Sequence, residues 1–284
     1  MTERSLFLLK PDGYDSIAVR KMLEAAIELN GLSILQRKIV NFKREDIPRL
    51  WPIFSAGLHP INAAIYVEYM TNGFCEAILV EGMLAIENSL EIKKQIRSRF
   101  ETCAYENAVH CPGDAEEFLA NYEILFGENS YIPSTKWPEW SKKGVFGRLS
   151  TISPAEAAQL ASELWKIRQE KGWAGLFTSL EQSLDLGSQA ILYPGDPNSI
   201  DYGLSVLAEA LPNRSTWDVV RLYIQAEVHG SAVIANGDEP QLQLLQPVFD
   251  RHNMKLKVIS RFDTEGSQNE LWSERRANNE GSPE

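Results

Sequence analysis

The sequence predicts an α+β protein: short strands covered by helices, followed by a second unit of similar content. Three observations carry this. Apolar runs too short to be helices end at Pro, Gly or Asn, and between them apolar residues recur at helical spacing. Over residues 4–126 the resulting order is strand, helix, strand, helix, helix, strand, helix, helix, compatible with a ferredoxin-like split β-α-β core. After a stretch rich in Pro, Trp, Lys and Ser the pattern begins again, and 284 residues suffice for two domains of the usual ~100–200 residues each.

Residues 4–9 read as a buried strand closed by Lys10-Pro11-Asp12-Gly13. Ile17, Val19, Met22, Leu23, Ala26, Ile27 and Leu29 fall at helical spacing, and Asn30-Gly31 stops that helix. Residues 32–42 form a second strand, 44–54 a short helix, 63–72 another with Gly73 behind it, and 77–80 a strand stopped by Glu81-Gly82. Residues 90–100 and 115–126 are helical, and the last strand of the sheet is expected near residues 101–108. Residues 145–152 then read as a strand, and Ser153-Pro154 opens a helix with Pro at its first position. A strand at 189–193, helices at 200–211 and 216–228, a strand at 231–234, a helix at 241–252 and a strand at 255–262 complete the second unit. The expected domains are 1–130, a connector at 131–144, a second α/β domain at 145–262, and a polar tail at 263–284, too poor in apolar residues to fold.

Composition narrows the function. Hydrophobic content of 44% and charged content of 24% are ordinary globular values. No apolar run approaches the ~18 residues of a membrane span, and the start of the chain has no basic-then-apolar leader. A net charge of −11 argues against broad nucleic-acid binding, which needs basic surface. Cys75, Cys103 and Cys111 are odd in number and lack metal-ligand spacing. They point to a reducing compartment, and the expected location is cytoplasmic.

The chemistry concentrates in Glu106-Asn107-Ala108-Val109-His110-Cys111-Pro112-Gly113-Asp114. One of only four histidines stands at the mouth of a Pro-Gly turn, and neutral imidazole is a competent nucleophile near pH 7. Ahead of it come the strand ending in Lys10-Pro11-Asp12-Gly13 and the helix end Ile96-Arg97-Ser98-Arg99-Phe100. Taken together and in this order, these motifs resemble nucleoside diphosphate kinase over residues 2–127.

The resemblance implies a ferredoxin-like nucleoside diphosphate kinase-type domain that moves the γ-phosphoryl of a nucleoside triphosphate to a nucleoside diphosphate. His110 would be the nucleophile of a ping-pong reaction. Lys10 would meet the γ-phosphoryl oxygens and Arg97 the phosphates, with Arg99 as its solvent-facing rival. Asn107 would place the sugar, Glu123 would orient the histidine, and Trp51 or, second, Tyr66 would stack on the base. Mg²⁺ would be held by the nucleotide phosphates, with no protein metal site expected.

The departures are specific. Between Gly82 and Arg97 the chain is shorter than the family spacing, and Lys93 and Lys94 are its only basic residues there. A loop with a second phosphate-binding Arg and a Thr is missing. Losing such an Arg contact costs about 1.5–3 kcal/mol, roughly ten- to a hundredfold in affinity. The alternative is therefore a catalytically weak nucleotide-binding scaffold on the same fold. Because the lost loop helps to build larger assemblies, a monomer or homodimer is expected in preference to a hexamer. Cys111, where Gly would be usual, reads as an ordinary turn thiol and not as a redox switch. His229-Gly230 reads as a helix cap, and His59 and His252 as surface or turn residues. Residues 145–262 resemble no family.

Overall fold

The computed structural model describes residues 2–52, 54, 57–127, 143–176, 187–194 and 200–260. Most of the expected connector and all of the expected polar tail lie outside them. The described chain divides into two compact units, one of residues 1–172 and 197–205, the other of residues 173–196 and 206–284.

The first unit holds a four-stranded antiparallel sheet of β1 (Glu3–Leu9), β2 (Ser33–Val40), β3 (Cys75–Gly82) and β4 (Val109–His110), in the order β2-β3-β1-β4. This is the ferredoxin-like order. The continuous apolar runs of β1 and β3 are buried on both faces, as central strands covered by helices on each side must be. On one face Phe7, Leu9, Ile78, Val80 and Val109 meet Val19, Leu23 and Ile27 of α2 (Ile17–Leu29) and Ile92 and Ile96 of α5 (Ala85–Phe100). The short helix α1 (Pro11–Asp15) leads from β1 into α2. The other face carries α3 (Ile47–Leu50), α4 (Pro60–Thr71) and α6 (Ala115–Leu125). At the sheet edge β2 is exposed over Ser33–Ile39, Ile34, Leu35 and Ile39 included.

Two expectations shift. The last strand is not at 101–108 but at Val109–His110, because Thr102–Ala108 is taken up by turns folded on their own carbonyls. The segment 44–54 is not one helix: a single 3₁₀ turn, Arg44–Asp46, precedes the four residues of α3.

The larger change concerns the boundary. The helix α7 (Pro154–Lys171) was expected in the second domain, yet it lies in the first unit, packed along α4. Its N-terminus is closed as the sequence suggests, by Ser153 and Glu156 bonded reciprocally. The stretch before it is a 3₁₀ turn, Gly147–Thr151, and not a strand, since no partner strand lies alongside it among the described residues. Of the helix α8 (Ile200–Ala210), residues up to Ser205 belong to the first unit.

The second unit is built on β5 (Ser188–Tyr193), β6 (Ala232–Gly237) and β7 (Lys255–Ile259), antiparallel in the order β6-β5-β7. Helix α9 (Thr216–His229) starts at a Ser215 cap and stops where Gly230 turns left-handed, so His229 is a helix-end residue as expected. The expected helix at 241–252 is broken into α10 (Glu239–Gln243) and α11 (Gln246–Arg251), with Pro247 at the start of the second.

Candidate active site

β1 runs directly into Lys10 and pairs with β4 so that Leu8 stands opposite His110. Side chains alternate along a strand, so Lys10 and His110 share one sheet face. The Lys-Pro-Asp-Gly turn locks onto the histidine turn. The Lys10 N–H donates to the Ala108 carbonyl at 2.9 Å, and Asp12 Oδ2 accepts the Ala108 N–H at 2.8 Å. Ala108 is thereby held at φ 61°, a left-handed state that costs a residue with a Cβ roughly 1–2 kcal/mol. Gly13 is required for a different reason: a Cβ there would lie 2.2 Å from the Ala108 oxygen.

Lys10 is almost fully buried. Its Nζ donates to the Tyr66 hydroxyl and to Asn107 Oδ1, each at 2.5 Å, while Asn107 Nδ2 donates to the Ala104 carbonyl. Burial brings its pKa down from 10.5 to about 7, and the Arg97 charge pushes the same way against the pull of Asp12. The Tyr69 hydroxyl donates to Asp12, fixing that carboxylate for its bond to Ala108.

His110 is 8% exposed. Burial drives its pKa from 6.5 to about 3, helped by Lys93, Lys10 and Arg97 and opposed by the bond to Asn121. The imidazole is therefore neutral at physiological pH. Nε2 lies 2.9 Å from Asn121 Oδ1, with Glu117 Oε1 at 3.5 Å. With Nε2–H donating to Asn121, Nδ1 keeps the lone pair. The Trp51 ring meets the imidazole edge-on, centroids 5.3 Å apart, and touches Tyr66 at 5.0 Å.

Helix α5 supplies the cationic wall. Arg97 donates from Nε and Nη2 to the Val109 carbonyl at 3.0 and 2.9 Å, and Lys93, one turn earlier, donates to the Cys111 carbonyl at 3.3 Å. Lys94 and Arg99 point to solvent.

The structure thus brings together Lys10, Arg97, Asn107, His110, Trp51 and Tyr66. It does not bring Glu123 to the histidine. On a helix residue 123 is turned about 200° from residue 121, and the face opposite His110 belongs to Glu117 and Asn121, four residues apart on α6. Counting from the Asp114 cap was the available signal, since it fixes which residues of α6 share a face. Cys111 belongs to the core on the opposite face of the sheet, where burial lifts its thiol to about 11, in keeping with an inert side chain. His59 opens α4 but is buried, not on the surface.

No family model matches the chain. It is 29% identical to the nucleoside diphosphate kinase of Picrophilus torridus over 146 residues, 46% of this chain and 99% of that protein. It is 30% identical to the nucleoside diphosphate kinase of Thermosipho melanesiensis over 144 residues, 46% of this chain and 92% of the relative. The chain belongs to the nucleoside diphosphate kinase family. The family match is confined to the N-terminal ~46% of the chain. A crystal structure of the nucleoside diphosphate kinase of Aquifex aeolicus aligns with 45% of this chain and 97% of its own, at 26% identity and a TM-score of 0.39. Within the family-like part lie all the residues of the cluster, from Lys10 to Asn121. Among the described residues no group of three His, Cys, Asp or Glu could hold a metal ion.

Proposed function

We propose that the chain is a nucleoside-diphosphate kinase-like phosphotransferase acting through phospho-His110. The observation that carries this reading is a neutral imidazole on the same sheet face as Lys10, with Arg97 and Lys93 near enough to repel a proton from it. A nucleoside triphosphate enters with its Mg²⁺ held by its own phosphates. The Nδ1 lone pair attacks the γ-phosphorus, the P–N bond forms, the bond to the β,γ-bridging oxygen breaks, and the nucleoside diphosphate leaves with that electron pair. A second diphosphate then attacks the phosphorus with a β-phosphate oxygen, and the P–N electrons return to Nδ1. Lys10, Arg97 and Lys93 neutralise the charge on the transferring group. Asn121 orients the ring through Nε2–H but, being an amide, adds no negative charge beside it. Asn107 contributes to nucleotide placement, and Trp51 and Tyr66 are the aromatic groups available to a base. The family membership and the buried free thiols support a cytoplasmic setting.

A second reading, a weak nucleotide-binding scaffold, has its own support. Trp51 lies against His110, and the Lys10 ammonium already has two oxygen partners. A nucleotide must displace these contacts. Incubation with γ-labelled ATP separates the two readings. The kinase reading expects acid-labile, alkali-stable label that is lost in His110→Ala and discharged by GDP. Binding of ATP without any label on His110 would leave the scaffold.

A further inference from the structure

The residues that complete the cluster's support come from outside the family-like part. α7 lies along α4, with Trp165 against the Tyr69 ring at 5.6 Å and the Arg168 guanidinium 5.7 Å from the Trp165 ring. From α7, Arg168 Nε donates to Glu106 Oε1 at 2.6 Å. Glu106 is 4% exposed and immediately precedes Asn107, the residue that accepts from Lys10. Its carbonyl also receives the Thr102 N–H, so the carboxylate and backbone of Glu106 together set the start of the histidine turn.

A second strut reaches α4. Asp201, at the beginning of α8, is fully buried, and its two carboxylate oxygens accept the N–H groups of Ile61 and Asn62 at 3.1 and 2.9 Å. These are first-turn donors of α4, which no side chain of α4's own cap residue, His59, satisfies. Five residues on, α4 presents Tyr66 to Lys10, and then Tyr69 to Asp12. Among the described residues no cation is bonded to this buried carboxylate, an arrangement that is costly. Burial accordingly raises Asp201 from 3.8 to about 7, the amide bonds opposing the shift.

We infer that Arg168 and Asp201 are positioning residues for the Lys10–Asn107–His110 cluster, Arg168 acting through Glu106 on the histidine turn and Asp201 acting through α4 on Tyr66. The segment that carries them has become part of the site's scaffold. The consequence for nucleotide chemistry rests on the phosphotransfer reading; the consequence for Lys10 does not.

The test uses the full chain with Arg168→Met, Arg168→Lys and Asp201→Asn, and Lys166→Ala on the exposed side of α7 as control. NMR of ¹³C-labelled lysine follows the Lys10 titration in the absence of nucleotide. Arg168→Met and Asp201→Asn are expected to move its midpoint up by roughly half a pH unit or more, as the cluster opens and water relieves the burial that holds the pKa down. Arg168→Lys should restore most of the wild-type midpoint, and Lys166→Ala should leave it unchanged. In parallel, the rate of His110 labelling by γ-labelled ATP at saturation should fall about tenfold or more in the first two variants, as expected for reacting groups displaced by a fraction of an ångström. Folded variants whose Lys10 midpoint matches the wild type would overturn the inference. Should the wild type itself take no label, the phosphotransfer reading falls, and the Lys10 titration alone decides the positioning role. If Arg168→Met does not fold, Arg168→Lys and Asp201→Asn decide it in the same way.

Discussion

Lys10 is an ammonium with its solvent removed, and its chemistry follows from that. A lysine whose folded pKa lies near 7 is charged below that pH and neutral above it. A phosphoryl anion favours the charged form, so phosphate binding takes up a proton above pH 7. We predict that nucleotide affinity is maximal below about pH 7 and falls by up to about tenfold per unit above it. In Lys10→Met that dependence should vanish. Calorimetry in buffers of different ionisation enthalpy measures both. Asn121 is the second residue with a direct consequence. Removing it leaves a buried ring N–H without its acceptor, a loss of about 1–3 kcal/mol. Asn121→Ala should label roughly tenfold more slowly with γ-labelled ATP, whereas Glu123→Ala should stay within about twofold of wild type. Lys10, Arg97, Asn107 and His110 can be singled out in the sequence because each sits in a short pattern whose neighbours fix its backbone. Asn121 was not, since its role depends on where α6 begins and on which of its faces meets β4.

Among the elements, the two turns that grip each other matter most. Lys-Pro-Asp-Gly is four residues of one turn, but two of its bonds are to the peptide of Ala108. We predict that Gly13→Ala destabilises the first unit by about 2–3 kcal/mol, the scale of an overpacked site that cannot relax, visible as a lowered midpoint in urea. A conformational preference at Gly13 is not the cause; the Ala108 oxygen, 2.2 Å from where the Cβ would sit, is. Strands β1 and β3 could be read from their apolar runs. β4 could not, because two residues carry no period, and only their pairing with Leu8 and Leu9 makes them a strand. The sequence pattern starts α4 three residues late, since its first turn, Pro60-Ile61-Asn62, is held by Asp201 from far along the chain, an interaction that no local pattern announces.

For the molecule as a whole, the division into units of residues 1–172 with 197–205 and 173–196 with 206–284 was not legible. The Pro- and Trp-rich stretch looks like a boundary by composition, yet α7 beyond it belongs with the first unit. What assigns it there is the contact of its apolar side with α4, which depends on tertiary structure. No helix among the described residues is long and apolar enough to cross a membrane. Where the resemblance implies a loop before Arg97 the chain has continuous helix, and we predict that it sediments as a monomer or dimer at micromolar concentration. A species of six chain masses would contradict that.

The unbroken helix from Ala85 to Phe100 has one more implication. A loop absorbs an added residue by bulging, but a helix converts it into rotation. One alanine inserted between Lys93 and Arg97 would swing the two apart by roughly 100°, so that only one of them could still reach its carbonyl, Cys111 or Val109. The cations on this side are therefore indexed like teeth on a gear, fixed in phase before any nucleotide arrives.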